Sequence, residues 1–499
     1  MKKKLLLNST TSLIYQIVYI VYGFITPRLI LNTYGSEVNG LISSLSQFLS
    51  VIALSEFGMT AVVQSSLYKP LSRNDDIEIS RVLTSSSRFF RKIGFVYIIY
   101  VFILCMVYPI VVSTPFDAIY ITKMILILCM TSLFQYLVGM SYLQLLIADQ
   151  HAYVYQTANT ISILISIAVC ILLTKFHCSV HLLKLSLSIL LLISPICSII
   201  YVKLKFRNVN THTNCDVEPI GQKWNGMAHH LSSYIYSSTD VLVLSLFSTL
   251  SNVSIYAIYN IVLNGLYKLC AMFDNAVKPV LGSLWAMEDK NKLAHYFRFY
   301  EWAIHNLSII IFGCTAVLIV PFVKIYTLQL DDKAMYIAPT FALLLTLATM
   351  FQNIKNIYHN LIQSTGLFRQ TQVCYIATAL INVFLSLLSV KNYGLIGVAI
   401  GTLGAVVFQI VWLICFVRRN VIDDEFTYTK LILTDTVNFM IPYFLCRGFV
   451  GNATTIGLWI VIAIFVFAIW DIVIVLSNLI LFKDNSIMLI KIICKKISD

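Results

Sequence analysis

Apolar stretches long enough to cross a bilayer recur from one end of this chain to the other, and no other feature restricts its fold so severely. Inside lipid the backbone has no water to bond, so each stretch must satisfy its own amides and carbonyls, as a helix does. Apolar residues fill 59% of the 499 positions and charged residues only 12%, about half the usual soluble share. Water-soluble classes are thereby excluded. The pattern predicts an all-α polytopic membrane protein with about 14 transmembrane helices, over roughly 9–31, 38–68, 93–113, 121–147, 155–174, 183–202, 226–249, 252–280, 299–320, 335–362, 372–390, 394–416, 431–451 and 455–482. Met1-Lys2-Lys3-Lys4 before Leu5 resembles the front of a signal peptide, but the apolar run continues past Tyr22 without a small-residue cleavage site. It reads as a retained first helix.

Two short phrases recur at nearly one offset. Lys69-Pro70 closes one apolar stretch, and Lys278-Pro279 closes another about 209 residues later. Arg88-Phe89-Phe90 opens the next stretch, and Arg298-Phe299-Tyr300 does so about 210 residues later. A shared offset at matching places in the hydropathy pattern points to a duplicated half. The polar segment after six spans reads as the linker between copies. Six is even, so the second copy enters with the same orientation and the repeat is parallel. The expected organisation is an N-lobe over 1–202, a cytoplasmic linker over 203–225, a C-lobe over 226–416, peripheral helices over 417–482 and a cytoplasmic tail over 483–499.

The net charge of +12 would suit nucleic acid, but the basic residues follow membrane side. Lys69, Arg73, Arg81, Arg88, Arg91, Lys203, Lys205, Arg207, Arg418 and Arg419 fall in alternate connections, and the opposite side keeps few. That bias sets both termini in the cytoplasm and excludes nucleic acid as the partner the charge implies. Asp75-Asp76-Ile77-Glu78 resembles a capping box, and the amphipathic pattern behind it predicts a helix lying on the inner membrane surface, with a counterpart over Met287 to Tyr300. The outer loops are short, which argues against a membrane polymerase or transferase that must build its catalytic site there. The 12 cysteines include no Cys-x-x-Cys pair, and no P-loop, nucleophile elbow or zinc-protease helix occurs. His177 and His181 read as part of a short turn rather than a metal site. No cofactor is expected beyond a coupling Na+ or H+.

Charged groups inside spans are costly and persist where they face a cavity or a partner. Arg28, Lys268 and Lys355 suit an anionic ligand such as a phosphate. Arg28 could equally anchor at the interface, and Lys268 could pair with Asp274 or Asp240. Glu56, Asp240 and Asp274 could bind a coupling ion or neutralise a lysine. Asn39 and Gln47 in span 2 and Asn264 in span 8 lie among polar residues at helical spacing. Such a face suits a hydroxyl-rich substrate, or simply bonds helix to helix.

The stretch Tyr22-Gly-Phe-Ile-Thr-Pro-Arg28-Leu-Ile-Leu resembles a known family, as does Tyr34-Gly-Ser-Glu-Val-Asn-Gly-Leu-Ile-Ser-Ser-Leu-Ser-Gln-Phe-Leu. So does Glu56-Phe-Gly-Met-Thr-Ala-Val-Val-Gln-Ser-Ser-Leu-Tyr-Lys-Pro-Leu. These segments are similar to the polysaccharide transporters, the Wzx-type flippases, of the multidrug/oligosaccharidyl-lipid/polysaccharide exporter superfamily. The resemblance is strongest over 8–95. It implies two six-helix lobes around a central cavity lined by spans 1, 2, 7 and 8, with two peripheral helices. It also implies transfer of an undecaprenyl-pyrophosphate-linked oligosaccharide across a bacterial cytoplasmic membrane, with membrane lipids and polysaccharide polymerase machinery as candidate partners. Arg28 and Lys268 fall on the cavity spans; Lys355 does not. A relative that flips the peptidoglycan precursor holds sodium among second-lobe helices comparable to those carrying Asp240, Asn382 and Thr402. The alternative on the same fold is a cation-coupled multidrug exporter, against which the basic trio leans.

Overall fold

The computed structural model describes residues 2–56, 59–209, 227–328, 330, 334–422, 426–451, 453–483 and 485. The predicted linker beyond 209 and the predicted tail from 486 lie outside the described residues. Among the described residues the chain is helical and holds no strand. Among the described residues ten helices are long and apolar enough to cross a membrane. The chain is a multi-pass membrane protein.

The helices run in order: α1 (Lys2–Ser50), α2 (Met59–Arg73), α3 (Asp76–Val111), α4 (Ala118–Phe134), α5 (Met140–Ala148), α6 (Ala152–Lys175), α7 (Val180–Leu191) and α8 (Ile193–Lys205). From residue 227 follow α9 (Met227–Phe247), α10 (Leu250–Ala286), α11 (Lys290–Tyr326), α12 (Pro339–Thr365), α13 (Phe368–Tyr393), α14 (Leu395–Asn420), α15 (Phe426–Val450) and α16 (Ile456–Leu481). Spans 1 and 2 meet inside α1, where Gly35 at φ 84°, ψ 175° breaks the helical path without a loop. Only glycine reaches that conformation without strain.

The duplication has a local signature. α2 ends at Asn74 (φ 52°), and Asp75 then caps α3 by accepting from the Glu78 amide. α10 ends before Glu288 (φ 56°), and Asp289 caps α11 by accepting from the Lys292 amide. A left-handed residue followed by an aspartate cap thus turns the chain in both halves.

One expectation is corrected here. The segments 76–92 and 287–300 are not separate helices lying on the membrane surface. Residues 76–92 are the first part of one long uninterrupted helix, α3, and 290–300 the first part of another, α11, with 287–289 in the turn before it. Ile79, Val82, Leu83, Phe90 and Ile93 are buried in the helical core, and Arg81, Arg88, Arg91 and Lys92 are exposed. The amphipathic face was legible, but its apolar side meets protein.

The described residues group into two compact units: Met1–Tyr234 with Leu244–Ser254 and Leu330–Asp332, and Ile235–Val243 with Ile255–Gln329 and Lys333–Asp499. The first unit has one continuous apolar core running from Ile30 through Val202, with Leu250 added from the α9–α10 tip. Gly40 of α1 lies against the Leu250 carbonyl so closely that a Cβ would not fit. In the second unit α13 and α14 pack against each other along their lengths. A Cβ at Gly397 would strike the Ser389 carbonyl, and one at Gly401 would strike Ser386, so small residues let the two backbones approach.

Candidate functional site

In the second unit, α9, α10, α12 and α14 enclose a polar cavity of about 170 Å³ beside Asp240. Tyr236, Tyr256, Asn260, Asn264, Tyr267 and Gln352 are among its lining. Asp240 is 2% exposed, and a carboxylate buried so completely needs donors. It has two. Thr402 Oγ1 donates to Oδ1 at 2.6 Å, and the Tyr256 hydroxyl donates to Oδ2 at 3.0 Å. Asn382 of α13, wholly buried, donates Nδ2 to Thr402 Oγ1 at 3.1 Å, while its own Oδ1 has no hydrogen-bond partner.

The structure thus joins Asp240 and Asn382 through Thr402. A carboxylate, two hydroxyls and an orphaned amide oxygen form an all-oxygen donor set, which suits a hard cation such as sodium. No cluster of three or more His, Cys, Asp or Glu occurs among the described residues.

Asp274 of α10 and Lys355 of α12 are both buried in this unit and interact electrostatically. The Tyr300 hydroxyl of α11 donates to Asp274 Oδ1 at 2.6 Å and accepts from Asn360 Nδ2 at 3.1 Å. Lys355 therefore lies among the helices of its own unit. Lys268 and Asn264 are exposed residues of α10, and Asn264 also borders the Asp240 cavity.

In the first unit Glu56 closes a 3₁₀ turn, Val51–Glu56, and accepts from the Tyr136 hydroxyl at 2.6 Å. Tyr136 sits on a π-helical turn, Gln135–Gly139. A cavity of about 260 Å³ adjoins them, lined also by Thr131, Gln135, Tyr155, Asn159 and Ser194. Arg28 is exposed, one residue past Pro27 in α1. Asn39 is buried and donates to Ser254 Oγ at 2.8 Å. Gln47 donates to Ser50 Oγ at 3.2 Å, and Ser50 bonds the Tyr234 hydroxyl at 2.7 Å.

Sequence reasoning did not single out Tyr256 or Lys184. A tyrosine in an apolar span carries no signal of its own, and its role depends on Asp240 sixteen residues earlier. Lys184 lies one turn into α7, where it reads as an interfacial residue; in the fold it is half-buried and interacts electrostatically with Cys170 of α6.

No protein-family model matches this sequence. No curated protein matches it either. Solved structures do. The lipid II flippase MurJ in an inward closed conformation shares 16% identity at a TM-score of 0.69, covering 93% of this chain and 98% of that one. An inward-facing multidrug resistance MATE family transporter of the MOP superfamily shares 12% identity at 0.59, covering 80% and 95%. The MATE multidrug transporter DinF-BH shares 16% identity at 0.58, covering 84% and 97%. These likenesses concern the fold. This chain has the fold that the lipid II flippase shares with the multidrug exporters of the MOP superfamily.

Proposed function

We propose that this chain is a flippase of the polysaccharide-transporter kind, carrying an undecaprenyl-pyrophosphate-linked oligosaccharide to the outer leaflet of a bacterial cytoplasmic membrane by alternating access. The observation that carries this reading is the extent of the likeness. It spans 93% of this chain for the lipid II flippase, against 80% and 84% for two multidrug transporters. Two six-helix halves leave α15 and α16 without a counterpart, so the longer match favours a flippase over a drug exporter.

Arg28 and Lys268 are the residues proposed to meet the pyrophosphate. Both are exposed basic side chains, and charge-assisted bonds to phosphate oxygens strengthen where water is scarce. Asp240, Thr402 and Asn382 would hold the coupling ion, whose binding would add positive charge beside the buried carboxylate. Replacing Arg28 or Lys268 by Ala should cut export per molecule of folded protein at least about tenfold, the effect of losing one charge-assisted contact. Arg28→Lys should recover part of it, because the charge stays while the two-pronged fork is lost. Export per folded molecule that stays at the wild-type level in both Ala variants would overturn the assignment.

A further inference from the structure

A directed chain of hydrogen bonds crosses the second unit from Lys278 to Tyr375. Lys278, half-buried near the end of α10, donates to Gln363 Oε1 of α12. Gln363 Nε2 lies 2.7 Å from His359 Nε2, one turn earlier on the same helix. His359 Nδ1 in turn meets the hydroxyl of Tyr375 on α13. Tyr375 is buried at 1% exposure.

The direction of this chain is dictated at its first link. An ammonium group can only donate, so Lys278 must face the amide oxygen of Gln363. The amide nitrogen then faces His359 and can only donate, so His359 Nε2 must accept. A neutral imidazole accepts at one nitrogen and carries its proton on the other, so the proton sits on Nδ1, directed at the Tyr375 oxygen. The charge on Lys278 therefore specifies both the tautomer and the neutrality of a histidine on another helix.

We propose that His359 is a proton-binding site whose occupancy excludes the Lys278–Gln363 hydrogen bond, so that binding one proton frees the end of α10 from α12. A proton on Nε2 turns that atom into a donor. Gln363 must then rotate to present its oxygen, and its amide nitrogen is left facing the lysine, donor against donor. The end of α10 lies beside the end of α12 here, where a Cβ at Gly282 would make ordinary contact with the Ser364 carbonyl oxygen at 3.5 Å. Loss of the lysine contact removes the polar tie from that packing.

The helices that pack in this unit carry other titratable groups. On α10 these are Asp274 and Lys278; on α11, Tyr300 and Glu301, the latter accepting from Tyr358. On α12 there is Lys355, and on α13 Cys374 and Tyr375, with Cys374 interacting with Lys355. The titratable residues of α14 are Cys415, Arg418 and Arg419, all near its end. Lys69, at the matching place of the first copy, is exposed, and no such chain surrounds it among the described residues.

Two measurements on the full chain in nanodiscs test this. Long-range nitrogen–proton spectra of ¹⁵N-histidine-labelled protein, assigned by His359→Gln, should show the Nδ1–H tautomer at pH 8; an Nε2–H tautomer would overturn the proposal. Spin labels at Ser283 and Gln370 should report a distance distribution that shifts between pH 8 and pH 5. His359→Gln, which keeps an acceptor but cannot titrate, should hold the pH 8 distribution at both values. Lys278→Met should show the pH 5 distribution at both. A wild-type distribution unmoved by pH, or a shift that persists in His359→Gln, would refute it. Neither readout requires a transport substrate, so failure here leaves the flippase reading untouched.

Discussion

At the scale of single residues the sequence exposes costly groups but hides their partners. A carboxylate in an apolar span, such as Asp240, is visible because it should not be there. Its satisfaction depends on Thr402, 162 residues away, and on Tyr256, an unremarkable aromatic in a sequence rich in them. The same holds for Lys355, whose electrostatic partner Asp274 lies on another helix. Asn39 and Gln47 read equally well as substrate-facing or helix-bonding residues, and spacing alone could not decide. Asn39 bonds Ser254 of α10 and so supplies the second reading with a partner, whereas Gln47 bonds Ser50 of its own helix, and it is Ser50 that bonds Tyr234 of α9. The Asp240 cluster carries a prediction of its own. Asp240→Asn keeps the shape and both hydroxyl neighbours but removes the charge a bound cation needs. Export driven by a sodium or proton gradient should fall to the level without a gradient, at unchanged protein abundance. Gradient-dependent export that survives Asp240→Asn would remove this site from the coupling scheme.

At the scale of elements, most spans were legible because lipid demands long apolar helices with internally satisfied backbones. The α1 break was legible as a boundary, since Gly35 falls between spans 1 and 2. The starts of α3 and α11 were misplaced for a physical reason. An amphipathic pattern shows that one face avoids water, not whether lipid headgroups or other helices cover it. The attachment of α16 was not legible at all, because it rests on tertiary contacts spread along α11. Trp302 Nε1 donates to Asn478 Oδ1 at 2.5 Å, and Asn478 Nδ2 donates to Asn306 Oδ1 at 2.6 Å. Farther along, Gly313 accommodates the fully buried Trp470 ring, and Trp459 Nε1 donates to the Leu318 carbonyl at 3.1 Å. The two helices run antiparallel, held at three levels. Gly313→Leu should drive a side chain into the Trp470 indole and destabilise the protein by about 1–3 kcal/mol, the usual cost of overpacking. Thermal unfolding in detergent would measure it. A melting temperature equal to wild type would show that α16 does not depend on this contact.

At the scale of the whole molecule, duplication, charge bias and short loops between them point to a transporter from the sequence alone. The fold is the one that lipid II flippase and multidrug exporters share. What divides those two uses is the cargo, and cargo is chosen by a few side chains rather than by helix number. The proposed cargo is large, amphiphilic and doubly anionic at its pyrophosphate. That chemistry calls for basic groups such as Arg28 and Lys268, whereas cationic drugs call for acidic and aromatic ones.

The most direct test is therefore leaflet exchange by the purified chain. Proteoliposomes would carry an undecaprenyl-pyrophosphate-linked oligosaccharide, and a membrane-impermeant glycosidase added outside would report how much of it is accessible. The flippase account predicts that accessibility rises from the outer-leaflet fraction toward completion with wild-type protein. With the Arg28→Ala, Lys268→Ala double variant it should stay near the protein-free level. Accessibility that never exceeds the protein-free level with folded wild-type protein, while a cationic dye is moved across the same membrane, would contradict it.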